Sequence, residues 1–159
     1  MLAVGLSNGK LYIYDDHEPF CLRDKYASHR GRIDSLAWSN DGKSIATVSS
    51  ERIVYVWDAL TLDLVVPIEI SVDRIISIAW SPEDNFINAV SVLGTYPTAN
   101  LSIQSYCVNT SEKLSSCSEE YWNTSWPAVS QDNKFLALAS PDGNVQVWDT
   151  STISLVAIV

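Results

Sequence analysis

The chain has 159 residues, 47% of them apolar and 18% charged, with 10 Lys and Arg against 19 Asp and Glu for a net charge of −9. Six Trp, seven Tyr and three Phe supply enough surface for a one-domain core, which excludes a disordered tail, and no run of 18 apolar residues exists to span a membrane as a helix. The acidic balance argues against a nucleic-acid groove, which needs clustered Lys and Arg to displace counterions, and residues 1–14 lack the basic start and long apolar stretch of a secretory signal.

Taken in chain order, short alternating strands are separated by polar turns, and helical periodicity is absent. The first unit opens inside what later units show as a second strand. It closes with Gly9-Lys10-Leu11-Tyr12-Ile13-Tyr14-Asp15, and a weaker outer strand is predicted near residues 19–23. The second unit runs through Ser35-Leu36-Ala37-Trp38-Ser39-Asn40-Asp41-Gly42-Lys43 and a strand over 44–49. It closes with Arg52-Ile53-Val54-Tyr55-Val56-Trp57-Asp58 and ends in an outer strand within 60–70. The third repeats this with Ser77-Ile78-Ala79-Trp80-Ser81-Pro82-Glu83-Asp84-Asn85, a strand over 86–93, a weaker closer at Leu101-Ser102-Ile103-Gln104-Ser105-Tyr106, and an outer strand near 112–116. The fourth has Ser125-Trp126-Pro127-Ala128-Val129-Ser130-Gln131-Asp132-Asn133-Lys134, a strand over 135–140, the closer Gly143-Asn144-Val145-Gln146-Val147-Trp148-Asp149, and an outer strand near 152–158.

The aromatic closers fall at 14, 57, 106 and 148, so the spacings are 43, 49 and 42. A period of about 40–45 residues made of short strands is the mark of a four-stranded propeller blade. The inner-strand turn places Gly42, Asp84 and Asn133 at one shared position. These are the residues that best tolerate positive φ, which predicts a single turn geometry in three units. The expected fold is all-β: about four blades of four-stranded antiparallel sheet, the first lacking its inner strand, with units near 1–25, 26–70, 71–118 and 119–159.

These segments resemble the WD40 repeat family, whose signature is a Gly-His pair, a Trp-Ser-Pro-Asp-Gly-like turn and a closing Trp-Asp. The resemblance implies a hydrogen-bond chain of His, Ser, Trp and Asp across each blade. In the second unit it falls on His29 (after Ser28), Ser49 and Trp57, with Glu51 in the Asp position. In the fourth unit Ser140, Asp142 and Trp148 match, but Glu120 stands where His would be; the third keeps Ser91. The family closes rings of about seven blades, or ~300 residues. The resemblance therefore implies a piece of a longer protein, a mis-predicted gene, or half a ring completed by another chain, and residues 1–159 alone are expected not to behave as a clean monomer.

Chemistry is sparse in the sequence. The cluster Asp15-Asp16-His17-Glu18 follows a closing strand and reads as a solvated turn, because four adjacent residues cannot easily aim at one ion. No H-E-x-x-H, G-x-S-x-G, phosphate loop or G-x-G-x-x-G occurs. Cys21, Cys107 and Cys117 form no C-x-x-C pair and read as buried thiols, with Cys107–Cys117 pairing as the alternative. The triplets beginning at Asn100, Asn109 and Asn123 read as unused glycosylation sites. No metal or cofactor is called for.

What remains is surface recognition. In the resembled fold, the loops entering each inner strand (28–32, 71–74, 119–123) share one rim with those joining second to third strands (50–52, 94–100, 141–144). Arg30, Arg32, Arg52, Arg74, Tyr96, Tyr121 and Trp122 lie on these loops and are the candidate partner contacts, since Arg and aromatic side chains dominate interface hot spots. Residues 75–159 carry two Lys against eight acids, a net −6, which suits a basic peptide and repels DNA and anionic membrane. The reading is a non-catalytic, intracellular scaffold, cytoplasmic or nuclear, binding proteins or peptides. The alternatives are a sensor segment attached to a catalytic domain elsewhere, and a propeller enzyme resting on Asp34 and Asp73.

Overall fold

The structure, a computed structural model, describes residues 1–15, 27–70, 74–93, 100–120, 127–139 and 143–159. Fifteen strands and no helices occur among them. The first sheet holds β1 (Leu2–Gly5), β2 (Lys10–Tyr14) and β3 (Ala27–Ser28). The second holds β4 (Ile33–Trp38), β5 (Ser44–Ser49), β6 (Ile53–Asp58) and β7 (Leu64–Glu69). The third holds β8 (Arg74–Trp80), β9 (Phe86–Leu93), β10 (Asn100–Cys107) and β11 (Lys113–Glu120). The fourth holds β12 (Ala128–Val129), β13 (Phe135–Ala139), β14 (Val145–Asp149) and β15 (Ser154–Ile158). Every sheet is an antiparallel meander in chain order, so these are four blades, three of four strands and one of three.

Two boundaries differ from the sequence expectation. The outer strand paired to β2 is Ala27–Ser28, so the first blade reaches into the unit assigned to 26–70; the outer strand expected at 19–23 lies outside the described residues. The outer strand expected at 112–116 runs on to Glu120, because β10 offers eight residues and β11 pairs along almost all of them.

One turn recurs between inner and second strands. Gly42, Asp84 and Asn133 sit there at φ of 69°, 57° and 56°, as the residue pattern requires. Each donates its N–H to a serine carbonyl three residues back, at Ser39, Ser81 and Ser130. The same serine closes the turn from its side chain. Ser39 Oγ accepts the Ser44 N–H at 2.9 Å, Ser81 Oγ accepts the Phe86 N–H at 3.2 Å, and Ser130 Oγ accepts the Phe135 N–H at 2.9 Å. The Asp of each closing Trp-Asp caps the next turn: Asp58 Oδ1 accepts from Leu60 and Thr61, and Asp149 Oδ1 from Ser151 and Thr152. Cys107 occupies that place in the third blade. There the Thr110 hydroxyl, then the backbone N–H groups of Thr110 and Asn109, hold its thiol below the ordinary value. Cys107 and Cys117 are not joined in a disulfide, and both are half-buried.

Leu62 and Ile153 take positive φ, 57° and 49°, which costs a non-glycine residue on the order of 1–2 kcal/mol. Both side chains are buried in the core, which offsets that strain.

The blades stack through their faces. Leu11 and Ile13 of the first meet Ile33, Ile45 and Trp57 of the second. The other face of the second blade, Ala46, Val48, Val54 and Val56, packs on Ile78, Ile87, Ala89 and Tyr106 of the third. Val90, Val92, Leu101 and Ile103 of the third then meet Leu136, Leu138 and Trp148 of the fourth. Alternation makes this possible, since a period of two gives each strand one set of side chains for each neighbour.

Polar bridges reinforce the stacking. Between the second and third blades, Asp84 accepts from the Asn40 backbone N–H (2.8 Å), the Asp41 N–H (3.0 Å) and Asn40 Nδ2 (3.2 Å), while Trp80 Nε1 donates to the Ala37 carbonyl (3.0 Å). Between the third and fourth, Asn88 Nδ2 donates to the Thr150 carbonyl at 2.9 Å.

Candidate functional site

Beneath the rim of the second blade lies a buried polar chain. Trp57 Nε1 donates to Thr47 Oγ1 at 2.7 Å, and the same oxygen lies 2.7 Å from His29 Nε2. With the Thr47 hydroxyl donating to Nε2, the neutral ring carries its one N–H on Nδ1, 3.6 Å from Glu51 Oε2. Tyr55 stacks on the His29 ring at a centroid distance of 4.4 Å and meets Trp57 edge-on. Burial pushes the His29 pKa below its ordinary value, and the Glu51 charge pulls it partly back.

The linking hydroxyl is therefore Thr47, two residues before Ser49. Thr47 stands opposite Tyr55 on the face that carries Trp57, whereas the buried Ser49 Oγ accepts the Glu51 N–H at 3.2 Å. The signal that could have placed it is the period of two: Ile45 pairs with Trp57, so the residue sharing that face one step on is Thr47. In the fourth blade the position corresponding to Thr47 is Leu138, and Trp148 Nε1 donates instead to Gln146 Oε1 at 3.3 Å. Ser140 and Asp142 lie outside the described residues. In the third blade the equivalent strands carry a different polar chain, in which the Tyr106 hydroxyl donates to Gln104 Oε1 at 2.6 Å.

These buried contacts fix the rim loops. His29 donates its N–H to the Gly9 carbonyl at 2.9 Å, and Gly9 at φ 83° lies so close to the carbonyls of His29 and Gly31 that a Cβ there would collide. Gly31 in turn sits against Ser50 Oγ, joining the loop before β4 to the loop after β5. Above this junction is a groove of about 320 Å³ lined by Arg32, Asp34, Ser49, Ser50, Arg52, Arg74 and Ile75. It brings three of the candidate contacts to one place: Arg32 and Arg52 from two loops and Arg74 from the first position of β8. Arg30 is exposed on the same loop as Arg32 but does not line the groove. Tyr96, Tyr121 and Trp122 lie outside the described residues.

Asp34, which an enzyme reading would use, is bound to Arg32: Nε and Nη2 both reach its Oδ1, at 2.7 and 2.5 Å. Asp73 lies outside the described residues. A second, larger cleft of about 470 Å³ follows the inner strands and is lined by residues such as Ser35, Ala37, Ser77, Ala79, Val129 and Ser130. No acid or histidine is among its described lining residues. No group of three or more His, Cys, Asp or Glu side chains is placed to hold a metal ion among the described residues, and Asp16, His17 and Glu18 fall outside them. No helix among the described residues is long and apolar enough to cross a membrane.

Repeated four-strand meanders docked face to face define a β-propeller segment with a loop rim. The sequence model of the WD domain, G-beta repeat, matches residues 20–58 and 106–149, more than half of the chain. The chain belongs to the WD40 family. Among curated proteins, it is similar to SEC12-like protein 1 of Arabidopsis thaliana, 27% identical over 157 residues, covering 97% of this chain and 38% of that protein. It is similar to Protein HIR1 of Candida albicans, 29% identical over 79 residues, covering 48% of this chain and 9% of that protein. COMPASS component SWD1 of Saccharomyces cerevisiae is 38% identical over 60 residues, covering 36% of this chain and 14% of that protein. The chain thus spans well under two thirds of the length of each of these relatives.

Proposed function

We propose that the chain is a non-catalytic interaction module that binds partner proteins or peptides through its loop rim, in an intracellular setting, cytoplasmic or nuclear. The observation that carries this reading is the convergence of both loop sets on one groove, with Arg32, Arg52 and Arg74 along it. The WD40 membership supports it, as does a relative named as a component of a larger assembly. The net −6 of residues 75–159 supports basic peptide segments as ligands of that acidic half and disfavours nucleic acid and anionic membrane. Further blades, of this protein or of another chain, would cover the open outer faces.

A second reading is a regulatory segment of a larger protein with a catalytic domain elsewhere; the greater length of the relatives favours it. A propeller hydrolase finds less support, because Asp34 is engaged by Arg32.

Affinity capture with crosslinking tests the rim. The double variant Tyr96→Ala/Trp122→Ala is expected to lose partners that the native chain retains, while Leu114→Lys on the exposed outer strand β11 keeps them. Identical capture by native chain and double variant would refute the rim as the binding surface.

A further inference from the structure

We propose that the groove between the second and third blades is a receptor for an acidic side chain, carboxylate or phosphoryl, carried on a peptide segment of a partner; this rests on the rim being a binding surface. Arg52 carries the first argument. It stands at φ 64° in the turn from second to third strand, where the matching residues of the first and fourth blades are Gly9 and Gly143, at φ 83° and 90°. A left-handed backbone strains an arginine and not a glycine, and such strain clusters at functional positions. Here the strained residue is one of the three arginines that line the groove.

Among the described lining residues three arginines stand with one carboxylate, Asp34, which binds Arg32 through two donors to one oxygen. Among the described residues, no carboxylate oxygen lies within 4.0 Å of Arg52 or Arg74. Ser49 and Ser50 line the same space with hydroxyls, and Ile75 gives it an apolar wall. Paired guanidinium forks with nearby hydroxyls are complementary to a planar carboxylate or a phosphoryl oxygen set.

About 320 Å³ admits one or two side chains. The chain around it carries a net −9, so a long polyanion such as DNA or an anionic bilayer is repelled, while a short peptide with one focused negative charge is not.

Fluorescence anisotropy of the full chain with labelled peptides of degenerate sequence around a fixed central residue tests this. The central residue is Glu, phosphoserine, Gln or Lys in four parallel arms, with inorganic phosphate as competitor and phosphatidylserine vesicles as a fifth arm. Binding that depends on Arg52 and Arg74 is expected with Glu and phosphoserine and not with Gln or Lys, weakening with salt. Arg74→Gln is expected to weaken it by about tenfold, the scale of one charged hydrogen bond. Arg52→Gly is expected to weaken it equally while leaving the melting temperature unchanged or higher, which separates lost recognition from lost folding. Lys134→Gln, on the fourth-blade turn, is expected to change nothing. Equal arginine-dependent binding of the Gln or Lys arms, vesicle binding without peptide binding, or acidic-peptide binding that survives both arginine substitutions would overturn the proposal. If the Tyr96/Trp122 variant loses partners while acidic peptides fail to bind, the rim stands and the arginine receptor falls.

Discussion

Thr47 shows how much one hydroxyl holds. It has no exposed surface, and its oxygen is the shared partner of the Trp57 indole and the His29 imidazole. Thr47→Val keeps shape and β-propensity but strands two buried polar groups. It is expected to cost about 1–3 kcal/mol, against about 0.5–1.5 kcal/mol for Ser49→Ala, which removes a single acceptor from the Glu51 N–H. Thermal unfolding followed by Trp fluorescence separates the two; a larger loss for Ser49→Ala would return the hub to Ser49. His29 gives a pH signature. Its folded-state pKa lies below the ordinary 6.5, so between the two values the unfolded chain binds more protons than the folded one. Its contribution to stability is therefore complete above about pH 6.5 and is lost as pH falls through that value toward the folded pKa. Asp41, Asp58 and Asp132 have pKa values lowered from 3.8, so their contributions are lost only in more acid solution. Between pH 7.5 and 5 the native chain is expected to lose stability more steeply than His29→Gln. Parallel profiles would show that His29 is not held neutral by burial.

At the scale of the element, the turns join the blades as well as the strands. Asp84 occupies a left-handed position that Gly would fill without strain, yet its carboxylate takes three hydrogen bonds from Asn40 and Asp41 of the neighbouring blade. Asp84→Gly relaxes the backbone and removes the bridge, with an expected net loss of about 1–2 kcal/mol. Unchanged stability would mean that the blades are held by their apolar faces alone. The strand and turn plan was legible in the sequence because it depends on local chemistry: alternation, an aromatic closer, and Gly, Asp or Asn where φ must be positive. Less legible was whatever depends on pairing across strands. The first outer strand at Ala27–Ser28 is two residues long and has no pattern of its own. Thr47 could be told from Ser49 only by knowing which residue faces Trp57. The convergence of Arg32, Arg52 and Arg74 is likewise a property of two loops and a strand start that are separate in the chain.

At the scale of the molecule, the end blades leave apolar faces uncovered. On the fourth blade, Leu136, Leu138 and Trp148 are buried against the third, while Ala137 pairs with Val147 and Ala139 with Val145 on the opposite face, where Phe135 is 40% exposed. These correspond to Ala46, Val48, Val54 and Val56, which in the second blade are buried by the next sheet. On the first blade, Leu2 pairs with Tyr14 and Val4 with Tyr12 on the face turned away from Leu11 and Ile13, and Leu2 is 54% exposed. Each blade's faces are thus made to be covered by another blade. Sedimentation of residues 1–159 across a range of concentrations, alongside Phe135→Lys/Val145→Lys, tests it most directly. The expected result is association that rises with concentration and is weakened by the double substitution; a monodisperse 17.6 kDa species, with a sharp unfolding transition independent of concentration, would contradict it.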